Sequence, residues 1–207
     1  MVRQQFLIAL VAFASFAQGA SAISVATDPK QAPSGTYDVE PRHTQVVFAT
    51  SHFGLTDFYG RFDKVLGTLN FDSANPSNST VSITIDTTSI DTPNAQLNSE
   101  LQAPAILDSA HIPAATFKST SVTRTGPNSG RIVGDLTIKG VTKSVTLDVT
   151  YNGGLKSPMG GNSFLIGFHG TTTIRRSDFN MTGVMWSSLV GDEIKLTIEA
   201  LFFQAKE

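Results

Sequence analysis

The chain alternates between apolar and polar positions. Val81, Ile83 and Ile85 are separated by Ser82, Thr84 and Asp86, and Val145, Leu147 and Val149 by Thr146, Asp148 and Thr150. Near the end, Ile194, Leu196 and Ile198 alternate in the same way with Lys195, Thr197 and Glu199. A period of two sends successive side chains to opposite faces, so each segment predicts a strand with one apolar face. Five further stretches carry the β-branched and aromatic residues that suit a pleated surface: Thr44 to Ser51, Gly60 to Phe71, Ala115 to Thr123, Gly130 to Lys139 and Ser163 to Arg175. The pattern predicts about eight strands.

Turn residues punctuate these strands at Ser73-Ala74-Asn75-Pro76, Thr125 to Gly130, Lys139-Gly140, Asn152-Gly153-Gly154 and Pro158 to Gly161. Such short connections predict hairpins between sequence neighbours, hence antiparallel pairing. Helical character is confined to Asn94–Ser109, where Leu97 and Leu101 fall four apart and Pro104 limits the run; a short inserted helix or lid is expected. Many strands and few helices leave a sandwich or a closed barrel. Eleven of the fourteen phenylalanines lie beyond residue 22, a heavy apolar lining for a chain with one tryptophan. The expected fold is all-β, an eight-stranded antiparallel up-and-down barrel, the size at which the interior either fills with side chains or holds one small ligand. On composition alone the rings equally suit a dry core.

The N-terminus reads differently. Arg3, the apolar run Phe6 to Phe16 and Ala20-Ser21-Ala22 have the order of a cleaved signal peptide, and the run is too short to span a bilayer, which needs about 20 apolar residues. Residues 1–22 are therefore expected to be removed, with no integral membrane segment in the mature chain. Residues 23–36, with Pro29, Pro33, Ser34 and Gly35, are expected as a flexible leader, and 37–207 as one barrel domain.

Charge and motif content narrow the function. Seventeen acidic residues against 15 Lys+Arg give a net charge of −2, so no basic field exists to hold nucleic acid. The absence of cysteine excludes disulfides, thiolate catalysis and cysteine-held metal sites. The four histidines, His43, His52, His111 and His169, form no recognised metal spacing. Gly126-Pro127-Asn128-Ser129-Gly130 has its serine one place too late for a nucleophile elbow, and no phosphate-binding glycine loop is present. Neither a catalytic set, a metal nor a cofactor is expected. Arg175-Arg176, beside Ser177 and Asp178, could grip a phosphate or carboxylate or form an ion pair across the turn. The apolar run Ala200-Leu201-Phe202-Phe203 leaves room for a homodimer.

Three stretches together resemble the YceI-like family of exported, lipocalin-like polyisoprenoid-binding proteins. They are Tyr37 to Phe48, continuing through Ser51-His52-Phe53-Gly54 to Gly60-Arg61-Phe62; Gly134 to Leu147, the most specific; and Thr173 to Phe179, followed by Val190 to Ile194. The chain departs from the family pattern at Gln96-Leu97-Asn98-Ser99-Glu100-Leu101, where an Arg-Asp pair is lost and Leu101 kept, and at Lys139, where His is common. The resemblance implies a barrel around an elongated apolar cavity that takes an isoprenoid lipid, including the tail of an isoprenoid quinone. It implies a periplasmic or secreted carrier for storage or transport, without chemistry of its own. On that footing Phe48, Phe62, Phe71, Ile83, Ile85, Phe117, Leu136, Ile138 and Phe168 are candidates for the cavity wall, and Leu97, Leu101 and Ile106 for closing one end. His43, His52 and Arg175 are candidates for the polar head. An enzyme using the same cavity, or a filled-core partner-binding barrel, are the alternatives.

Overall fold

The computed structural model describes residues 23–159, 163–183 and 189–205. The expected signal segment, residues 1–22, lies outside them. The strands are β1 (Gly35–Val39), β2 (Gln45–His52), β3 (Thr56–Phe62), β4 (Val65–Phe71), β5 (Thr80–Asp86), β6 (Ile90–Asp91), β7 (Ala114–Arg124), β8 (Ser129–Ile138), β9 (Val141–Lys156), β10 (Phe164–Arg175) and β11 (Val190–Gln204). One α-helix, α1 (Ala95–Gln102), sits between β6 and β7. All pairings are antiparallel, and the ring β1-β4-β5-β7-β8-β9-β10-β11 closes on itself because β1 pairs with both β4 and β11. On the other half of the barrel β2 continues β1, β3 leads into β4 and β6 continues β5, so the segments compose eight strands in a closed up-and-down barrel. Among the described residues no helix is long and apolar enough to cross a membrane.

Three of the eight strands are interrupted, and each interruption has a local cause. Pro41 lies between β1 and β2, and Thr44 restores the ladder there: its hydroxyl donates to Leu201 O and accepts from Leu201 N, both at 3.1 Å. The expected single strand Gly60–Phe71 breaks at Asp63-Lys64, whose amides turn to Ser89 O and Ser89 Oγ. Ser89 itself belongs to a one-turn 3-10 segment, Thr87–Ser89, capped by the Asp86 carboxylate on Thr88 N at 2.9 Å. Bends on neighbouring strands therefore support one another.

The expected leader 23–36 is corrected: it docks. Ala26 pairs with Gly154 through two backbone bonds, along the part of β9 that extends past the end of β8. Ala32 is buried, and Tyr37, fully buried, donates to Pro33 O at 2.8 Å. Prolines deny this arm a hydrophobic period, but they do not prevent it from covering the barrel's end. Burial pushes the Tyr37 and Tyr151 phenols up to about 12, so this end carries no phenolate. In the C-terminal run, Phe202 turns inward and is buried, while Leu201 and Phe203 are half-buried.

A candidate lipid tunnel and its vestibule

Alternation puts one face of every strand inside the ring, and those faces enclose a row of apolar cavities. The central one, about 140 Å³, is walled by Val65, Ile83, Phe117, Val145, Leu147, Phe168, Ile198 and Phe202, among others. A second, about 100 Å³, continues toward the arm-covered end past Phe71, Tyr151 and Pro29. A third, about 110 Å³, continues the other way past Phe48, Phe62, Ile138 and Ile174. Neighbouring cavities share residues: Leu69, Val81, Ile132, Val149 and Phe168 at one junction, and Val46, Ile85, Leu136 and Leu196 at the other. These shared side chains form necks in one interrupted tunnel. A dry, aliphatic cavity of about 150 Å³ is large enough for a benzene-sized guest, so each compartment suits one small apolar segment.

Glycines make room for the rings. Gly60 lies opposite Phe48 in the β2–β3 register, and any side chain there would overlap the Phe48 ring and Thr92 Cγ2. Gly134 does the same for Phe117. With these rings lying across bare backbone, the wall is smooth and the lumen stays open.

The tunnel widens at the α1 end into a vestibule of about 430 Å³. Asn94 caps α1 by accepting from Gln96 N and Leu97 N, at 3.0 and 3.3 Å. Asn98 Oδ1 accepts from both the amide and the hydroxyl of Thr92 and so anchors the helix to β6. Held this way, α1 turns Leu97 and Leu101 to the vestibule, with Ile106 beyond. The polar lining comprises Thr50, His52, Thr56, Asn94, Gln96, Glu100 and Arg176. Arg176 is half-buried; its guanidinium donates to the carbonyls of Met181 (2.9 Å), Gly191 (3.1 Å) and Val190 (3.4 Å). The Asp192 carboxylate holds this corner by accepting from Ser177 N at 3.0 Å and Ser177 Oγ at 2.8 Å. Those Ser177 bonds, then Arg176 and Arg175 nearby, hold its carboxyl below the usual range.

The geometry places all twelve apolar candidates along this path. Phe71 and Phe168 lie toward the arm, Ile83, Ile85, Phe117 and Leu136 at the centre, Phe48, Phe62 and Ile138 beyond, and Leu97, Leu101 and Ile106 at the mouth. The polar candidates separate. His52 lines the vestibule, its ring edge-on to Phe53 at 4.2 Å. His43 lies outside the cavities on the bend between β1 and β2, exposed and paired with Glu40. Arg175 points outward and is exposed, whereas Arg176 turns in. Parity carries the signal that was missed: Ile174 is buried inside, so its immediate neighbour faces out and the next residue faces in. The inward faces of β9 and β11 were also legible as alternation, since Val145, Leu147, Val149, Ile194, Leu196 and Ile198 all line the tunnel or its mouth. Among the described residues no three His, Asp or Glu side chains converge as metal ligands.

A model of the YceI-like domain matches residues 37–202, the whole of this barrel except its last turns of strand. The chain belongs to the YceI-like family. A UPF0312 protein of Ectopseudomonas mendocina is 38% identical over 164 residues, covering 79% of this chain and 85% of its own. Among solved structures, Burkholderia cenocepacia BcnA superposes with a TM-score of 0.70 at 27% identity, covering 79% of this chain and 98% of BcnA. A polyisoprenoid binding domain from Saccharophagus degradans superposes with a TM-score of 0.62 at 16% identity over 82% of this chain and 98% of its own, a likeness of fold. In this YceI-like chain Asn98 anchors α1, and the Lys139 Nζ donates to Asn180 O at 3.1 Å, tying the β8–β9 turn to the segment beyond β10.

Proposed function

We propose that the chain is an exported carrier that threads an isoprenoid tail into the tunnel and leaves the polar head in the vestibule, without chemistry of its own. The supporting observation is the apolar, compartmented lumen that widens at one end into a chamber where polar side chains join the apolar wall. Burying each 200 Å² of tail contributes about 5 kcal/mol, enough to retain a lipid with few hydrogen bonds. The Saccharophagus degradans domain that shares the fold is a polyisoprenoid binding domain, which supports the same reading. The order of charge, apolar run and small residues over 1–22 supports export, and with it a carrier in the periplasm or outside the cell.

The head group follows from the vestibule's charges. Arg176 and Glu100 bring opposite charges there, with His52, Asn94, Gln96 and Thr50 as hydrogen-bonding partners. This balance favours a neutral acceptor such as a quinone ring over a polyprenyl phosphate or pyrophosphate. Native mass spectrometry of the mature protein from a bacterial host, followed by lipid extraction, tests the reading. An isoprenoid near one per chain is expected, and added quinone should displace an apolar fluorophore at least about tenfold more effectively than a polyprenyl phosphate of equal tail length. A protein that arrives empty and refuses both would instead have a filled core and a partner-binding role.

A further inference from the structure

The rim of the vestibule carries an apolar projection that the tunnel does not use. Between β2 and β3 the chain turns through Phe53 and Gly54, both with positive φ, at 56° and 69°. Glycine adopts this left-handed conformation readily; an aromatic residue rarely does. The turn is nonetheless well held: Leu55 N donates to His52 O at 3.0 Å and Phe53 N to Leu189 O at 2.8 Å. The result is a tip on which Phe53 and Leu55 stand 55% and 83% exposed, with Leu189 beside them at 37%. His52 and Val190, the residues adjoining this cluster, are already part of the vestibule wall.

We propose that Phe53, Leu55 and Leu189 form a membrane-docking foot that sets the mouth of the barrel against a lipid bilayer. Three side chains are far too few for a stable protein interface, which needs about 800 Å² per partner, but they suit shallow, reversible insertion among acyl chains. The wall below the foot fits the depth of a headgroup layer. Tyr59 lies four residues along β3 from Leu55, about 10 Å toward the barrel's middle once strand tilt is allowed for, and is 57% exposed. It shares an outer-face row with Ala49 and Lys195, and Lys195 bridges to Asp57 at 3.0 Å. Tyrosine and lysine are the side chains favoured at a membrane interface, where ring and stem lie in apolar surroundings and the polar end stays wet. The opposite end also exposes apolar side chains, Ile23, Val25 and Met159, but two of them belong to the arm that crosses that end, and the vestibule does not open there. The docking inference rests on the carrier reading only for what the bilayer supplies.

The absence of native cysteine makes a direct test possible. A Leu55→Cys variant labelled with an environment-sensitive thiol dye, mixed with empty vesicles of phosphatidylethanolamine and phosphatidylglycerol at 3:1, should show a blue shift and quenching by lipids brominated along the acyl chain. A Met159→Cys label should show neither. In the unlabelled protein Phe53→Asn combined with Leu55→Ser, where asparagine tolerates the positive φ, should lower vesicle co-flotation at least fivefold and leave the affinity for detergent-dispersed quinone unchanged. The proposal is overturned if the Leu55 label stays in water, if the Met159 label moves instead, if the double variant floats like the parent, or if the dye shift requires protein self-association rather than vesicles. Because the vesicles carry no isoprenoid, docking is read independently of uptake: a protein that docks on them yet takes up no isoprenoid in the displacement assay would defeat the carrier reading and leave the foot standing.

Discussion

Gly60 and Gly134 show how much of the lumen depends on single positions. Each lies bare under a phenylalanine ring, so a methyl group at either must push the ring off its rotamer. Gly60→Ala is expected to cost about 1–3 kcal/mol in urea denaturation, the usual penalty for overpacking. Filling the lumen should separate stability from binding. Val145 lines the central cavity opposite Gly134 in the register, and Val145→Phe should keep the barrel folded while lowering affinity for an apolar fluorophore by at least about tenfold. At the far end the buried Tyr151 hydroxyl has no hydrogen-bond partner among the described residues. Tyr151→Phe should therefore raise stability, by about 1 kcal/mol, a gain that chemical denaturation would read directly.

At the scale of elements, what was legible in the sequence was whatever depends on a local period. The strands from β7 to β11 follow from alternation and turn residues, and α1 follows from two leucines four apart with Asn94 in front of them. The interruptions were not legible, because they depend on partners distant in sequence: the Thr44 hydroxyl replaces ladder groups for Leu201, and Ser89 receives the amides of Asp63 and Lys64. The wall candidates rest on the family resemblance, because a period of two groups residues on one face without saying which face is inside. Arg175 lies exposed outside the vestibule whereas Arg176 lines it, a difference that follows the parity set by Ile174. Two expected outcomes belong to these elements. Asn94→Ala should cost about 1 kcal/mol of helix capping and speed ligand release in stopped-flow measurements, since α1 forms part of the mouth. Asp192 titrates with a lowered folded-state pKa, so its support of the Arg176 corner is present above the ordinary carboxylate range, near 3.8, and disappears as pH falls through the lower folded value. Thermal melts should accordingly drop below about pH 4 more steeply in the parent than in Asp192→Asn.

At the scale of the whole molecule, β1 closes the sheet on itself, β6 and the first residues of β3 keep a free edge at the α1 end, and the arm lies across the other end. Removing residues 23–33 would expose Tyr37 and take away the acceptor of its hydroxyl, and a fall of several degrees in melting temperature is expected by calorimetry. From the vestibule inward, the necks of Val46, Ile85, Leu136 and Leu196, and then of Leu69, Val81 and Phe168, stand in series. A chain entering there advances one compartment at a time, with each neck parting before the next segment can follow. For the proposed isoprenoid cargo the barrel then acts as a kinetic ruler: every added unit should lengthen the residence time by a further gate, and discrimination between long and short tails should appear first in how slowly they leave.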